Sequence, residues 1–463
     1  MFEHLCHPNR IPPTHARVWR LCRRWWVALV CGLALSGLVW NAWADDSDDG
    51  GSAPGADSAG AGAGGAAADA AGGGDGGTGP GEVTGAWFYR PTWPLEQFVP
   101  DGLVAINPSP AALRTARTLL GAEVVETHLL PGLGLQLVRL RLWGVDAATA
   151  HEELALRHPG VFAFLHLYKT AQRGAASAER SQTAETAGCT GPLCGAKAQL
   201  GWPARSEGCG RRQKVGLVDT WVDTQVSVLA RSVVQTKVFL EVQQTPAQDG
   251  HGTAVAGVLV GKELGGYQGL LPEAGLWVGV PFYALPSGQS AADVLGVVRA
   301  IDWLVQNGVR VIGMPLAGPA NPVLAKAVEV AQRRGILVVA AAGNGGRLAP
   351  PAHPAALTGV LAVTAINRDN QAYRLANQGD YIGYAMPGVD VPTWAPGGQL
   401  QNRTGTSYAV PFMVAAVSQS LHERRLSAVQ WQMGVDVPVR DLGVTGRDPV
   451  YGWGVPGLDW RCL

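Results

Sequence analysis

The sequence predicts a three-layer α/β domain built on a mostly parallel sheet, with a small α+β domain ahead of it. Two patterns carry that expectation. Short apolar runs at 215–218, 276–280, 309–314, 336–341 and 360–364 have the near-continuous hydrophobicity of strands buried on both faces. Helix-period stretches, notably 291–306 and 322–334, separate several of them, and such alternation over roughly 260 residues implies one layered domain with helices covering both sides of the sheet. Upstream, residues 103–168 read as strand, helix, strand, strand, helix, strand, the split βαβ order that lays two helices on one face of a four-stranded antiparallel sheet.

From the N-terminus, the chain divides into five segments. Arg17, Arg20, Arg23 and Arg24 precede an apolar run over 25–40 and an Ala42-Trp43-Ala44 site, so 1–44 is expected to be a removable export signal, the alternative being an uncleaved anchor. Residues 45–82 are almost wholly Gly, Ala, Ser and Asp and read as a flexible linker. The small domain, 83–170, carries clear punctuation: Ser109 as N-cap with Pro110 at the first helical position, Gly121 as helix stop, a Pro131-Gly132 turn, Asp146 as second N-cap and Pro159-Gly160 as second stop. Residues 171–198 are small, polar and aperiodic, an exposed connector open to a maturation cut. The α/β domain takes 199–463.

Composition narrows the chemistry. Formal net charge is zero over 463 residues, which argues against nucleic acid as a partner. Loss of the signal would remove Cys6, Cys22 and Cys31 and leave Cys189, Cys194, Cys209 and Cys462, an even set with three possible disulfide connectivities in an oxidising compartment.

Four residues in short blocks rich in small side chains hold the groups that acyl transfer by serine requires. Asp219 ends the strand Lys214-Val-Gly-Leu-Val-Asp219. His251 opens Asp249-Gly-His-Gly-Thr-Ala-Val-Ala-Gly257, whose small residues let a helix pack closely behind an imidazole. Ser407 lies in Thr404-Gly-Thr-Ser-Tyr-Ala-Val-Pro411 at a helix start, where backbone N–H groups and the helix dipole face any charge developing on an attacked carbonyl oxygen. Asn344, in Ala341-Ala-Gly-Asn-Gly-Gly346 just past a strand, can supply a second donor. The other histidines, among them His128, His151, His158, His166, His353 and His422, fall outside such blocks and read as structural or surface residues.

In the order Asp, His, Ser, with His251 32 residues after Asp219 and Ser407 156 after His251, these blocks resemble those of the subtilisin-like serine proteases, the subtilases. Tyr451-Gly-Trp-Gly454 is similar to that family's C-terminal signature. The resemblance spans roughly 200–459 and implies a three-layer subtilisin-like fold and a secreted serine endopeptidase. It assigns catalysis to Asp219, His251 and Ser407, the oxyanion hole to Asn344, and substrate binding to Leu316, Ala317, Gly318, Ala341, Ala342 and Gly343. It also implies that 83–170 is a propeptide acting as folding aid and inhibitor, that the substrate is protein or peptide, and that the enzyme is a monomer. No cofactor is expected; many relatives bind calcium after the His helix, but 261–269 is poor in hard oxygen ligands.

Two departures bear on the site. Trp221 stands where the family usually has Gly, which would be strained if that turn required φ > 0. Pro315 interrupts the segment along which extended substrate is expected to pair. A non-proteolytic scaffold that binds peptides or envelope proteins in the same groove is the alternative reading. An α/β-hydrolase esterase is disfavoured, because its nucleophile sits in Gly-x-Ser-x-Gly and precedes Asp and His, whereas here Ala409 follows and Ser407 comes last.

Overall fold

A computed structural model describes residues 98–171, 190–457 and 459–462. The expected export signal and linker, residues 83–97 of the small domain, most of the connector and Cys189 lie outside the described residues.

Strand β1 (Phe98–Ile106), helix α1 (Pro110–Leu120), β2 (Glu123–Leu130), β3 (Leu135–Arg141), α2 (Ala147–Arg157) and β4 (Phe162–Thr170) follow one another in the first part of the chain. The local punctuation acts as its chemistry dictates. Ser109 accepts from the Ala112 N–H, Gly121 ends α1 in the left-handed conformation, and Asp146 accepts from the N–H groups of Ala148 and Thr149. All pairings are antiparallel, in the spatial order β2-β3-β1-β4. Alternation sends Leu103 and Ala105 into one core with Ala112, Ala116, Ala150 and Leu154 of the two helices. Val104 and Ile106, on the opposite face, join a different core.

After α3 (Cys194–Gln199), the larger part comprises β5 (Lys214–Val218), β6 (Val233–Val238), α4 (His251–Val260), β7 (Gly275–Val280), β8 (Phe282–Ala284), β9 (Ser290–Asp293), α5 (Val294–Gln306), β10 (Val311–Met314), β11 (Leu316–Ala317), α6 (Pro322–Arg333), β12 (Leu337–Ala341), β13 (Leu361–Ile366), β14 (Tyr384–Pro387), β15 (Val391–Trp394), β16 (Leu400–Arg403), α7 (Thr406–His422) and α8 (Ala428–Met433). Seven strands make a wholly parallel sheet in the order β14-β13-β12-β10-β5-β7-β6. On one face Leu217, Val278, Val339 and Val363 pack with α4 and α7. On the other, Val218, Ile312, Val338 and Ala340 pack with α5 and α6. Three layers result, as the hydrophobic pattern implies, and the free face of the β2-β3-β1-β4 sheet closes over α5 and α6.

Several expected boundaries shift. Residues 290–293 are a strand rather than the start of a helix, because their backbone pairs with β4 and Asp293 then caps α5 by accepting from the Gly296 N–H. The last strand of the small unit runs through Thr170, beyond the expected end at 167. Both ends of the connector are built in: Ala171 is 4% exposed and Lys197, in α3, is 3% exposed. Cys209 and Cys462 form a disulfide.

Candidate active site

Asp219 follows β5, Asn344 lies just beyond β12, and His251 and Ser407 open α4 and α7, so the carboxyl edge of the parallel sheet and two helix starts gather all four. Asp219, His251 and Ser407 are each fully buried. Nδ1 of His251 is hydrogen-bonded to Oδ1 of Asp219 at 2.7 Å, and the Thr220 N–H donates to the same oxygen at 2.7 Å. Burial pushes the Asp219 carboxyl above its ordinary range, while the His251 ring and the Thr220 N–H pull the other way.

Around this pair a second set of contacts locks β5 to α4. The Thr220 hydroxyl accepts from the Gly252 N–H and donates to Asp249, whose carboxylate also receives the His251 N–H and the Ser290 hydroxyl. Gly252 has to lack a side chain here, since a Cβ would lie 2.4 Å from the Thr220 carbonyl oxygen. Trp221 is absent from the residues with positive φ, so its turn adopts a backbone open to any side chain and the strain anticipated there does not arise.

Ser407 faces the end of β4. The Ala171 carbonyl oxygen receives three donors: the Ser407 hydroxyl at 2.6 Å, the Ser407 N–H at 3.3 Å and Nδ2 of Asn344 at 2.5 Å. The Asn344 amide can turn only one way, because its Oδ1 accepts from both the N–H and the hydroxyl of Thr406, at 3.0 Å each. Thr406 in turn accepts from the Gly343 N–H at 3.1 Å. With Ser407 Oγ committed to Ala171, the buried Nε2 of His251 has no hydrogen-bond partner among the described residues; the His251 ring lies 5.3 Å, centroid to centroid, from that of Tyr408. Pro411 has no N–H to give the Ser407 carbonyl within α7.

The segment around Pro315 does accept an extended strand. Leu316 and Ala317 pair antiparallel with Thr170 and Lys169, while Leu167 and Tyr168 pair with Asp293 and Ala292 on the other side. Pro315 contributes its carbonyl, which receives the Ala171 N–H at 3.2 Å, so its missing N–H costs this pairing nothing. β4 is thereby the middle strand of a three-stranded patch that delivers Ala171 to Ser407.

Next to Asn344 lies a cavity of about 770 Å³, lined among others by Ala317, Gly318, Gly343, Asn344, His353 and Asn377. Of the expected substrate-binding residues, Ala341 and Ala342 do not line it; both are fully buried at the end of β12. Leu316 is fully buried too and meets the strand through its backbone. Sequence reasoning missed Asn377, whose Oδ1 accepts from the Gly345 N–H and whose Nδ2 donates to the Pro350 carbonyl. It also read His353 as structural or surface, whereas His353 lines this cavity and exchanges both backbone hydrogen bonds with Gly318. Neither residue has a local sequence signal; only their contacts identify them.

A family model described as the subtilase family matches residues 210–454, just over half of the chain. The minor extracellular protease Epr of Bacillus subtilis (strain 168) is 33% identical over 211 residues, covering 45% of this chain and 32% of that protein. Subtilisin E of the same organism is 32% identical over 216 residues, covering 45% and 55% respectively. The chain thus spans about a third to just over half the length of these relatives. In fold it is similar to fervidolysin from Fervidobacterium pennivorans, a keratinolytic enzyme related to subtilisin, with a TM-score of 0.64 at 19% identity, over 78% of this chain and 61% of that one.

Proposed function

This chain belongs to the subtilase family, and from that premise we propose that it is a serine endopeptidase made as a self-inhibited precursor, in which residues 98–171 are both first substrate and subsequent inhibitor. One observation carries the reading: the Ala171 carbonyl oxygen is held by the Ser407 N–H and Asn344 Nδ2 with the Ser407 hydroxyl against it, the disposition of a carbonyl about to be attacked.

In this mechanism Ser407 Oγ adds to the Ala171 carbonyl carbon while Nε2 of His251 takes the hydroxyl proton. Asp219, bonded to Nδ1, keeps the ring in the tautomer that leaves Nε2 free to accept and stabilises the imidazolium. Asn344 Nδ2 and the Ser407 N–H hold the oxyanion. Collapse breaks the Ala171–Gln172 bond, His251 protonates the departing Gln172 amine, and water then releases Ala171 as a carboxylate from the acyl-enzyme. Once free, the strand end at residues 167–170 remains paired with β9 and β11 as a product-like inhibitor. Export is part of the proposal, supported by the composition of residues 1–44 and by the Cys209–Cys462 disulfide.

The exported wild-type protein is expected to begin at Gln172, and the Ser407→Ala variant made in the same host to keep its upstream residues; N-terminal sequencing of both reads this directly. Identical trimming of the two would mean a host protease makes the cut. Failure of a serine-directed phosphonate to label the wild type would favour the peptide-binding scaffold.

A further inference from the structure

The carboxyl edge of the parallel sheet holds the candidate active site, and the amino edge holds a cavity of about 280 Å³ with a different chemistry. Arg212, Lys214, Arg310 and His422 line it, and among the described residues no carboxylate does. The chain as a whole has equal numbers of basic and acidic residues, so four basic side chains around one small hollow are a local excess. A second cavity shows the ordinary mixture: Arg231 and Lys262 share it with Glu207, Glu263 and Glu273. Backbone register gathers the basic groups. Val215 and Val311 are parallel partners, so Lys214 and Arg310, one residue earlier, open neighbouring chains about 4.8 Å apart. His422 is the last residue of α7, whose first turn carries Ser407. The floor is fixed, because the Ser418 hydroxyl donates to Gln213 Oε1 at 2.6 Å and Gln213 Nε2 donates to Gln419 Oε1 at 2.8 Å.

Cations at the amino edge of a parallel sheet often serve the helix C-termini that collect there. Lys214 does so: its Nζ donates to the Asn307 carbonyl that ends α5 and lies 4.9 Å from the centre of the Trp277 ring. Arg212, Arg310 and His422 do not, since among the described residues their side chains make no hydrogen bond or ion pair. Cations close by in the chain are neutralised, Arg211 by Glu273 at 2.9 Å and Arg425 by Glu423 at 3.6 Å. Arg212 is moreover held at φ 62°, in the left-handed region that an L residue enters only at a cost. Folding alone gives no reason to place a strained, uncompensated arginine beside a second uncompensated one. We propose that this cavity binds a phosphate group, with Arg212 and Arg310 meeting its oxygens through their forked N–H donors and Lys214 and His422 adding further donors. The inference goes beyond the peptidase reading and does not depend on it. Because cavity and triad lie at opposite edges of one sheet, a molecule held here by a phosphate-bearing surface keeps its groove open.

The test titrates the full-length Ser407→Ala variant with inorganic phosphate and pyrophosphate by calorimetry at about 20 mM salt, where screening is weak. Saturable millimolar or tighter binding of pyrophosphate is expected, with weaker binding of phosphate and an affinity lower by about tenfold or more once Arg310→Gln is added. Arg231→Gln, which removes the same charge from the mixed cavity, leaves the affinity unchanged. Arg212→Gly separates site from scaffold: it weakens binding to a similar degree without lowering Tm, because glycine accepts the left-handed turn freely. Vesicles of phosphatidylglycerol and of phosphatidylcholine identify the source of the phosphate. Retention on phosphatidylglycerol above that of the Arg212→Gly form, and competed away by pyrophosphate, means a lipid headgroup. Pyrophosphate binding without such retention means a free phosphate, and the proposal stands in both cases. Absence of saturable binding, an equal loss with Arg231→Gln, or binding unchanged by both Arg212→Gly and Arg310→Gln overturns it. Should Arg310→Gln fail to fold, Arg212→Gly decides.

Discussion

Asn344 is held by both ends of its amide: the oxygen by Thr406, the nitrogen by the carbonyl it polarises. A donor fixed before the reaction costs no reorganisation when charge develops, and its removal from subtilisins themselves lowers turnover about 10²–10³-fold. Asn344→Ala is therefore expected to lower kcat by about that factor with a much smaller change in KM, measured on a peptide substrate; a loss confined to KM would assign Asn344 to ground-state binding. Asp219, His251, Asn344 and Ser407 were legible in sequence because each sits in a short block whose small neighbours are themselves required. Gly252, for example, has the Thr220 carbonyl oxygen 2.4 Å from where a Cβ would stand. Thr406 and Asn377 carry no such local signal, since their roles come from partners 62 and 32 residues away.

Among the elements, β4 is the one whose extent depends most on its surroundings. Its pattern of alternation ends near Leu167, yet the strand continues because β9 and β11 supply partners for Leu167 through Thr170. The start of α6 holds it from the side. Asn321 caps that helix through Oδ1 and, with Nδ2, reaches the Phe164 carbonyl and Nδ1 of His166. Burial first, and the nearby His151 second, hold His166 down at about 4, below its ordinary 6.5. The folded protein thus binds fewer protons than the unfolded chain between these values. The stabilisation is complete above pH 6.5 and is lost as pH falls toward 4. The full-length Ser407→Ala variant should accordingly lose about 2 kcal/mol of unfolding free energy between pH 7 and pH 4.5 from this residue, a slope that His166→Gln flattens in urea titrations at the two pH values. An unchanged slope in the variant would remove His166 as the source.

At the scale of the whole molecule, the two ends of the larger part are tied together. Cys209 and Cys462 close a loop of 253 residues, and beside them the Trp202 and Trp460 rings lie 5.0 Å apart while Nε1 of Trp460 donates to the Leu200 carbonyl. Cross-links over long loops remove much entropy from the unfolded chain, so the Cys209→Ser/Cys462→Ser form of the full-length Ser407→Ala variant is expected to be less stable by about 2–5 kcal/mol and to melt about 5–15 °C lower by calorimetry. The sequence left the partner of each cysteine open, and only proximity in the fold chose Cys462 for Cys209. By itself the sequence determined the layered α/β class, the helix caps and the four chemical groups. Hydrophobic period, capping chemistry and glycine placement act within a few residues and are written locally. The tertiary structure decided what reaches Ser407. Ala171 lies 236 residues from the hydroxyl that meets it, in a stretch whose small polar composition suggests exposure, and it is buried there only because β9 and β11, distant in sequence, offer free backbone hydrogen bonds on either side of β4.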